Sequence, residues 1–515
     1  MEGIFVNQIG YSQNAKKYAY IDCSKIKAKT FSIQNKSGKI IYEGSVCSKK
    51  KDRLSESDYS MIQFDELCTP GLYVLKCGDY TSEDFSIGND LFKDVYISSL
   101  RYFYLSRCGE QITDKDFGHS ACHTKSALIY GTKDKLKVKG GWHDAGDYGR
   151  YVVAGVKTVM DLLLAYECNY YREDFNILDE VSFELKWLLQ MQRSDGAVYH
   201  KISCYHFCSF IMPQDEKDKI VISPVSTAAT ADFVGCLAYA VQFYRKQKPA
   251  FAQKLLEAAK RAQNYLDLHE DELFINPKEI TTGSYGDSHV EDERYFALCS
   301  LFGETKNPVY LEKAMRIRNK SSWKEAFFWG NMSAYGTEIL LRSQEYIEDS
   351  KIVSQLKDVI IKRADELLSI MGKSPFNISL DKVHWGSNGQ ICDEAHILSL
   401  TFDLTQNQKY YDAAICNMNY LFGCNPVNKC YISGFGKNTV SKPHHRPSAA
   451  LKKTMPGMLA GGPCEGLVDA VAKERLTGKA PINCYLDEYE SYSTNEIAIY
   501  WNSAFVYMLA KLHLV

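Results

Sequence analysis

The hydrophobic period of the chain changes near residue 90, which divides the sequence into two parts of different architecture. Before this point, roughly seven short apolar segments are separated by turn residues such as Ser37-Gly38 and Pro70-Gly71. About seven short strands in ~90 residues are typical of a small immunoglobulin-like β-sandwich. The predicted strands lie at 4–6, 17–21, 30–33, 39–42, 61–64, 72–75 and 85–87.

Beyond residue 90 the period is helical. Residues 251–268 and 409–421 each place apolar side chains on one stripe, whereas 228–245 and 496–513 are apolar on most sides. At ~35 residues for a helix and its loop, the rest of the chain holds about twelve helices. A closed double ring and an open solenoid both fit this count, but a solenoid would repeat a motif and none is found. The closed ring is therefore favoured. The predicted domains are 1–90 and 91–515.

Five long non-helical stretches, rich in Gly, Asn, Asp, His and aromatic residues, interrupt the helices. Loops of this length in a compact domain are usually functional. If they gather at one end of the ring, they wall a cleft. They lie near 130–150, 194–226, 276–293, 372–392 and 425–490.

Composition and charge exclude several classes of protein. Lys and Arg number 61 against 63 Asp and Glu, so binding of nucleic acid through a strong basic field is not expected. No stretch approaches ~18 uninterrupted apolar residues, so no membrane span is expected. The 17 scattered cysteines favour free thiols in a reducing compartment. With no secretory signal visible, a cytoplasmic protein is predicted, although a secreted chain trimmed at a cleavage site would begin in the same way. The oligomeric state is not readable from the sequence.

The densest cluster of chemically useful side chains is the segment 140–149, GGWHDAGDYG. Asp144 and Asp147 stand three residues apart among glycines and aromatic residues. Two carboxylates that share one pocket perturb each other's pKa, and such pairs serve general acid–base chemistry. From the pattern alone, an Asp-Gly loop that caps the helix from Tyr151 onward is an equally good interpretation.

A further carboxylate, Glu496, is predicted at the start of the most apolar helix in the chain. The commoner interpretation of such a residue is a glutamate favoured by the helix dipole. The functional interpretation is a carboxylic acid whose pKa is raised by apolar surroundings, so that it can donate a proton. Upstream, His444 and Arg446 belong to a basic turn that can grip hydroxyl or carboxylate groups.

Two thiols and two imidazoles form a candidate metal site. Cys108, Cys122, His123 and His143 supply the four ligands that a closed tetrahedral zinc site needs. The spacing is not that of a standard zinc finger, and chance assortment among 17 Cys and 12 His is the competing interpretation. Position favours the metal, because a ligand at His143 would fix the loop that holds Asp144.

In chain order, these motifs resemble glycoside hydrolase family 9, the inverting cellulases and cellodextrinases, and within it the subgroup with an N-terminal immunoglobulin-like domain. The resemblance covers nearly the whole chain, and its specificity comes from the ordered set of motifs. Further matching segments are 6–11 (VNQIGY), 187–199 (WLLQMQRSDGAVY), 223–227 (SPVST), 282–287 (TGSYGD), 385–388 (WGSN) and 433–436 (SGFG).

The resemblance implies a multidomain chain, in which the β-sandwich precedes an all-α (α/α)6 barrel with an open cleft. It also implies roles. Asp147 is the general base that activates water, Asp144 helps to hold that water, and Glu496 is the general acid. His444 and Arg446 bind the sugar next to the scissile bond. Further implied substrate-binding residues are Tyr492, Trp385 and Asp487.

The resemblance implies metals as well. The subgroup carries a structural zinc, which falls on the four Cys and His ligands named above. Calcium is often bound in the family, and Asp287 and Asp292 are the nearest carboxylates in the matching segment. A complete set of six to eight oxygen ligands is not readable from the sequence.

The predicted function is hydrolysis of β-1,4-glucosidic bonds in cellodextrins and soluble β-glucans with inversion, as an endoglucanase or cellodextrinase. Inversion needs an acid and a water-activating base with carboxyl groups ~6.5–9.5 Å apart. The alternative is an exo-acting β-glucosidase or exo-β-glucosaminidase, which requires loops near 200–220 and 455–485 to block one end of the cleft. A catalytically silent sugar-binding protein is the remote alternative, and retention of all the implied catalytic residues argues against it.

Overall fold

Ten short strands form two sheets at the start of the computed structural model, which describes residues 3–171 and 173–515. One sheet has the order β1-β3-β7-β6, and the other has the order β2-β10-β8-β4-β5 with β9 paired to β8. Strands β10 and β2 pair in parallel, and the other pairs are antiparallel. The strands are β1 (Ile4–Phe5), β2 (Tyr11–Ser12), β3 (Tyr18–Asp22), β4 (Thr30–Asn35), β5 (Ile40–Ser45), β6 (Lys50–Lys51), β7 (Asp58–Gln63), β8 (Gly71–Cys77), β9 (Tyr80–Thr81) and β10 (Phe85–Gly88).

Alternating side chains explain how these strands enclose a core. Phe31 and Ile33 on β4 are buried while their neighbours on the strand are not, and they pack with Ile21 and Ile62 of the other sheet. The predicted sandwich is confirmed. Strands β2, β6 and β9 were not predicted, because two residues are too few to show a period.

Twelve helices of ten or more residues follow in the described part of the chain, the number predicted. None of the helices in these residues is long and apolar enough to cross a membrane. The long helices are α1 (Lys93–Leu105), α2 (Val152–Glu167), α3 (Ile177–Met191), α4 (Thr227–Tyr244), α5 (Pro249–Leu268), α6 (Glu291–Thr305), α7 (Pro308–Arg318), α8 (Ser333–Arg342), α9 (Ser350–Met371), α10 (Ser387–Thr405), α11 (Gln408–Leu421) and α15 (Ile499–Lys511). The short helices are α12 (Arg446–Leu451), α13 (Ala470–Leu476) and α14 (Tyr492–Asn495).

The chain divides into two compact units, of which one joins Met1–Tyr102 to Ala364–Val515 and the other is Phe103–Arg363. In the second unit, α2, α4, α6 and α8 pack in succession, and α3, α5 and α7 each pack against one of them from outside. Helix α4 is buried on almost every side, whereas α5 buries only one stripe. In the first unit, α10 packs against α11 and α15. Both units thus show the alternation of buried and peripheral helices from which an (α/α)6 barrel is built.

A small sheet occupies two of the stretches predicted as loops. Its order is β12-β11-β15-β14-β13, and it lies within the second unit. The strands have two to four residues each, so they show no period in the sequence. Their bounds are β11 (Ala127–Ile129), β12 (Lys135–Leu136), β13 (Arg150–Tyr151), β14 (Lys201–Cys204) and β15 (Ile220–Ile222).

The sandwich packs against the C-terminal helical segment of its own unit through Phe376. The Phe376 ring lies 4.8 Å from that of Tyr20 and 4.7 Å from that of Tyr59, and its carbonyl oxygen accepts a hydrogen bond from the Tyr20 hydroxyl at 3.0 Å. The Asn7 side chain donates to Asn419 Oδ1 at 2.8 Å. The sandwich therefore covers apolar surface of the helical segment.

Phe376→Ala is expected to lower the free energy of unfolding by about 3–5 kcal/mol, because it removes a buried aromatic ring from this contact. Denaturant titration measures the loss. Leu268→Ala, at a side chain that is 70% exposed, is the control and should change stability by less than about 0.5 kcal/mol. Removal of residues 1–90 should likewise cost stability before it costs chemistry. Wild-type stability after Phe376→Ala, or after removal of residues 1–90, would contradict a stabilising role for the sandwich.

Candidate active site

The loop that carries Asp144 and Asp147 folds back on itself in the second unit. The Asp144 N–H donates to the Gly149 carbonyl at 2.9 Å, which closes a turn around both aspartates. Asp147 Oδ2 accepts hydrogen bonds from the Gly149 N–H and the Tyr151 hydroxyl, each at 3.0 Å. Asp144 Oδ2 accepts one from the Tyr285 hydroxyl at 2.5 Å. Both aspartates are buried, so their bonding partners rather than water fix their orientation.

The capping interpretation of this loop is wrong. Helix α2 begins at Val152, its N-cap is Tyr151, and no side chain accepts a hydrogen bond from its first turn. The two carboxylates are instead bonded to a backbone amide and to tyrosine hydroxyls. Such donors stabilise a buried carboxylate in its ionised form.

Tyr151 is central to this arrangement. Its ring lies 4.6 Å from that of Tyr285. A Cβ atom on Gly149 would lie 2.5 Å from the Tyr151 hydroxyl oxygen, and one on Gly283 would lie 3.1 Å from it, so this close approach requires glycine. Burial and the negative charge of Asp147 raise the pKa of Tyr151 well above its usual value. Tyr151 therefore remains a hydrogen-bond donor at any physiological pH.

The four predicted metal ligands converge. Cys108 Sγ lies 3.8 Å from Cys122 Sγ and 3.5 Å from His123 Nδ1, and Cys122 Sγ lies 3.5 Å from His143 Nε2. All four ligand atoms lie within 4.8 Å of one another. Tetrahedral zinc with ordinary Zn–S and Zn–N bonds would separate its ligands by about 3.5–3.8 Å. The four side chains therefore fit a zinc ion.

The electrostatics of the cluster agree with a thiolate ligand. Burial would raise the pKa of the Cys108 thiol, but the hydrogen bond from Cys122 and the positive charge of Arg150 outweigh it, and the pKa lies well below its usual value. All 17 cysteines lie among the described residues, and none of them forms a disulfide bond there. His123 Nε2 bonds to Glu216 Oε2 at 2.8 Å, which directs Nδ1 toward the thiols.

In the first unit, Glu496 is in extended backbone between α14 and α15 rather than in a helix. The apolar helix α15 begins at Ile499, three residues after Glu496, where the sequence predicted it to begin. The helix-dipole interpretation is therefore wrong, because Glu496 is not in the first turn of the helix. Its backbone forms a bridge with that of His444, and its carbonyl accepts from the Gly461 N–H at 2.8 Å. Glu496 Oε2 accepts from the Trp385 indole N–H at 2.9 Å.

Three predicted substrate-binding residues lie together beside Glu496: Trp385, Tyr492 and His444. The Tyr492 ring lies 5.2 Å from that of Trp385 and 5.9 Å from that of His444. The Trp385 side chain is 42% exposed, which leaves one of its faces open to a ligand. His444 Nδ1 bonds to the Tyr489 carbonyl at 2.6 Å, and burial lowers the pKa of His444 to about 4, so its ring is neutral at neutral pH. Arg446 is buried at the start of α12.

Asp487 holds protein segments together. Its carboxylate accepts from Lys429 Nζ at 2.9 Å, from the Ser441 N–H and hydroxyl, and from the Lys442 N–H at 2.8 Å. It also accepts from the Asn495 side chain at 3.2 Å, next to Glu496. These bonds indicate that Asp487 positions the segments beside Glu496.

Several important partners were missed by the sequence analysis. Tyr285 lies inside the matching segment 282–287, so its position in that motif was the available signal. Tyr151 was considered only as a helix start. Glu216 lies in a polar run, QDEKDK, that gives no signal.

The carboxylates near the predicted calcium site form a buried cluster. Asp292 Oδ2 accepts from the Met332 N–H at 2.7 Å, and neither oxygen of Asp232 has a hydrogen-bond partner among the described residues. Burial and neighbouring negative charges raise the pKa of Asp232 and Glu293 well above their usual values, and burial raises that of Asp292 to about 6. Among the described residues, the groups of three or more ligand atoms within 4.8 Å do not include these carboxylates. Calcium binding near these carboxylates stays a prediction.

Carboxylates held by hydrogen bonds in the loops of a helical domain are groups suited to acid–base hydrolysis, and comparison with known proteins identifies the family. The glycosyl hydrolase family 9 model matches residues 92–509, and the cellulase N-terminal Ig-like domain model matches residues 1–82. The chain therefore belongs to glycosyl hydrolase family 9 and is a glycoside hydrolase of this family, in which hydrolysis with inversion is general.

Individual relatives are similar over their full length. A cellodextrinase of Butyrivibrio fibrisolvens is 30% identical over 99% of this chain and 100% of its own length. A single mutant of a thermostable endoglucanase from Alicyclobacillus acidocaldarius is 32% identical, with a TM-score of 0.93 over 100% of both chains. A structure of AaCel9A in complex with cellobiose-like isofagomine gives a TM-score of 0.94 at 32% identity, again over 100% of both chains.

Asp232→Asn is expected to raise the melting temperature at pH 8 by about 2–4 °C, the effect of ~1 kcal/mol in a domain of 150–250 residues. A raised pKa means that the folded state binds the proton more tightly than the unfolded state, so stability falls as the pH rises above the ordinary pKa. Asparagine has no proton to lose, so the gain should be smaller at pH 5. Scanning calorimetry in excess chelator measures both. A rise on adding Ca²⁺ that Asp232→Asn abolishes would show instead that the carboxylates bind a cation.

Proposed function

We propose that Asp147 is the general base and Glu496 the general acid of a hydrolase that cleaves β-1,4-linked gluco-oligosaccharides, with cellodextrins as the preferred substrates. The observation that carries the proposal is the bonding of Asp147, whose Oδ2 is held by an amide and a tyrosine hydroxyl in a buried loop that caps no helix. The name of the cellodextrinase relative supports the choice of substrate.

In the proposed reaction, Asp147 removes a proton from water as the water oxygen bonds to the anomeric carbon. Glu496 gives its proton to the glycosidic oxygen as the bond between that oxygen and the anomeric carbon breaks. One water is consumed, and the sugar product has the inverted anomeric configuration. Asp144, bonded to Tyr285, helps to hold the attacking water.

The residues around Glu496 would bind the sugar beside the scissile bond. Because His444 Nδ1 faces a carbonyl and the ring is neutral, its proton lies on Nδ1 and Nε2 is an acceptor for a sugar hydroxyl. Arg446 would donate to sugar oxygens. The open face of Trp385, supported by Tyr492, suits stacking on the apolar face of a glucose ring.

Asp147→Asn and Glu496→Gln are expected to lower kcat on cellotetraose by about 10²–10⁴-fold, while oligosaccharide binding persists. With 2,4-dinitrophenyl β-cellobioside, whose leaving group needs no acid, Glu496→Gln should recover activity and Asp147→Asn should not. Glu490→Gln, at an exposed glutamate nearby, is the control and should be fully active.

The products on cellobiose through cellohexaose distinguish the remaining alternatives. Mixed lengths with the α-anomer formed first support an inverting endo-acting cellodextrinase. Glucose released from one end would support the exo-acting alternative. Full activity of Glu496→Gln on cellotetraose would disprove its assignment as the acid.

We also propose that Cys108, Cys122, His123 and His143 bind a structural zinc ion. Zinc bound there would cross-link the segment after α1 to the loop of Asp144. Its role would be to hold that loop in place, and Glu216 would orient His123 through their 2.8 Å hydrogen bond.

Glu216→Gln is expected to weaken zinc binding by about 10–100-fold, because it removes the carboxylate that orients a ligand. Cys122→Ser should abolish zinc binding, and the exposed Cys47→Ser should leave it unchanged. Competition with a chromogenic chelator and elemental analysis measure affinity and stoichiometry. Wild-type protein without zinc after purification in zinc-containing buffer would refute the site.

A further inference from the structure

Lys201 is a fully buried charged residue in the second unit that the proposed reaction does not use. It lies on β14, directly opposite Tyr151 of β13 in the antiparallel register. Its Nζ lies 5.5 Å from the centre of the Tyr151 ring. Lys201 is therefore next to the tyrosine whose hydroxyl donates to Asp147.

The Lys201 ammonium group also holds the segment that leads to Tyr285. Nζ donates to the carbonyls of Thr282 and Gly283, and to the Thr282 hydroxyl at 3.2 Å. His200, which directly precedes β14, fixes the next residue of this segment, because its Nε2 bonds to the Ser284 carbonyl at 3.1 Å. Tyr285, the donor to Asp144, follows directly.

The charged and titratable groups that face Lys201 are few. Burial lowers the pKa of Lys201 to about 7, and the negative charge of Asp147 opposes this. His200 is its titratable neighbour, and burial together with the charge of Lys201 lowers the pKa of His200 to about 3, so His200 is neutral. Tyr151 is protonated because its pKa is raised. Below pH 7, Lys201 is thus the positively charged member of this group.

A merely structural role does not account for a lysine at this position. Removing an ammonium group from water costs several kcal/mol, and no carboxylate of the described residues lies within ion-pair distance of Nζ. Methionine would fill similar space without that cost. Lysine supplies a positive charge beside Tyr151 and donors to the Thr282 and Gly283 carbonyls, and methionine supplies neither.

We propose that Lys201 is a positioning residue for the catalytic base. Its hydrogen bonds and its place over Tyr151 fix the two tyrosine hydroxyls that hold Asp144 and Asp147, and its positive charge attracts the Asp147 carboxylate. The proposal rests on the assignment of Asp147 as the base. It extends the active site to a lysine that touches neither water nor substrate.

The test compares Lys201→Met, Lys201→Gln and Lys201→Arg in the full-length enzyme on cellotetraose. Lys201→Met is expected to lower kcat by about 10–100-fold with KM changed by less than about threefold, because the base is misplaced while sugar binding is retained. The acid limb of the kcat profile should move to higher pH by about one unit, since the variant lacks the positive charge that attracts the Asp147 carboxylate. Lys201→Arg keeps the charge and should keep the wild-type acid limb even if kcat falls.

Each outcome has a defined meaning. Wild-type kcat and pH profile in folded Lys201→Met, or in Lys201→Gln if the methionine variant does not fold, would overturn the proposal. A lower kcat with an unmoved acid limb in both would also overturn it, because that is a structural effect. Lys186→Met, at an exposed lysine, is the control. Asp147→Asn is measured alongside: if it remains active the base assignment fails, whereas if it is inactive and Lys201→Met is unaffected only the role of Lys201 fails.

Discussion

The hydrogen bond from the Tyr151 hydroxyl to Asp147 joins the loop of the two aspartates to the small sheet of the second unit. The tyrosine is placed by the register of β13 on β14, and its hydroxyl fits only because Gly149 and Gly283 lack a Cβ atom. Its ring packs on Tyr285, which bonds the second aspartate. The loop is thus fixed on the side of the small sheet by hydroxyl donors, and on its other side His143 joins it to the cluster of metal ligands. A change on either side would move both carboxylates together, because only two residues separate them.

The pKa values of the buried acidic side chains shift in opposite directions, according to the hydrogen-bond donors and charges that surround each carboxylate. Asp232, buried in α4 without hydrogen-bond partners among the described residues, has a strongly raised pKa. Asp487 is also substantially buried, yet the positive charge of Lys429 and several N–H donors lower its pKa. Asp147 has an amide and a hydroxyl donor, and Glu496 has an indole N–H. These contacts follow from local backbone geometry, which explains why the groups proposed for chemistry lie in loops and extended segments rather than inside helices.

The sequence predicted the architecture well where periods are long. The sandwich, the count of long helices and the four converging metal ligands were all predicted, because each depends on patterns or residue types that are visible locally. Prediction failed where the pattern is short. The five-stranded sheet in the second unit has strands of two to four residues, which are too short to show a period. Neither this sheet nor the pairing of Tyr151 with Lys201 could therefore be predicted from the sequence. The start of the last helix was predicted at Glu496, three residues before it begins at Ile499, because an apolar run does not reveal where its helix begins.

The sequence by itself determined the order of the two domains, the family, and the identity of the carboxylates proposed as acid and base. These depend on hydrophobic periods and on motifs that are continuous in the chain. Only the tertiary structure decided which groups bond those carboxylates. Tyr285 bonds Asp144, and Glu216 bonds His123, across more than ninety residues of the chain, whereas strand pairing brings Lys201 opposite Tyr151. Such contacts depend on how short strands pair and on which backbone can approach closely, and both are properties of packing that no local pattern of residues encodes.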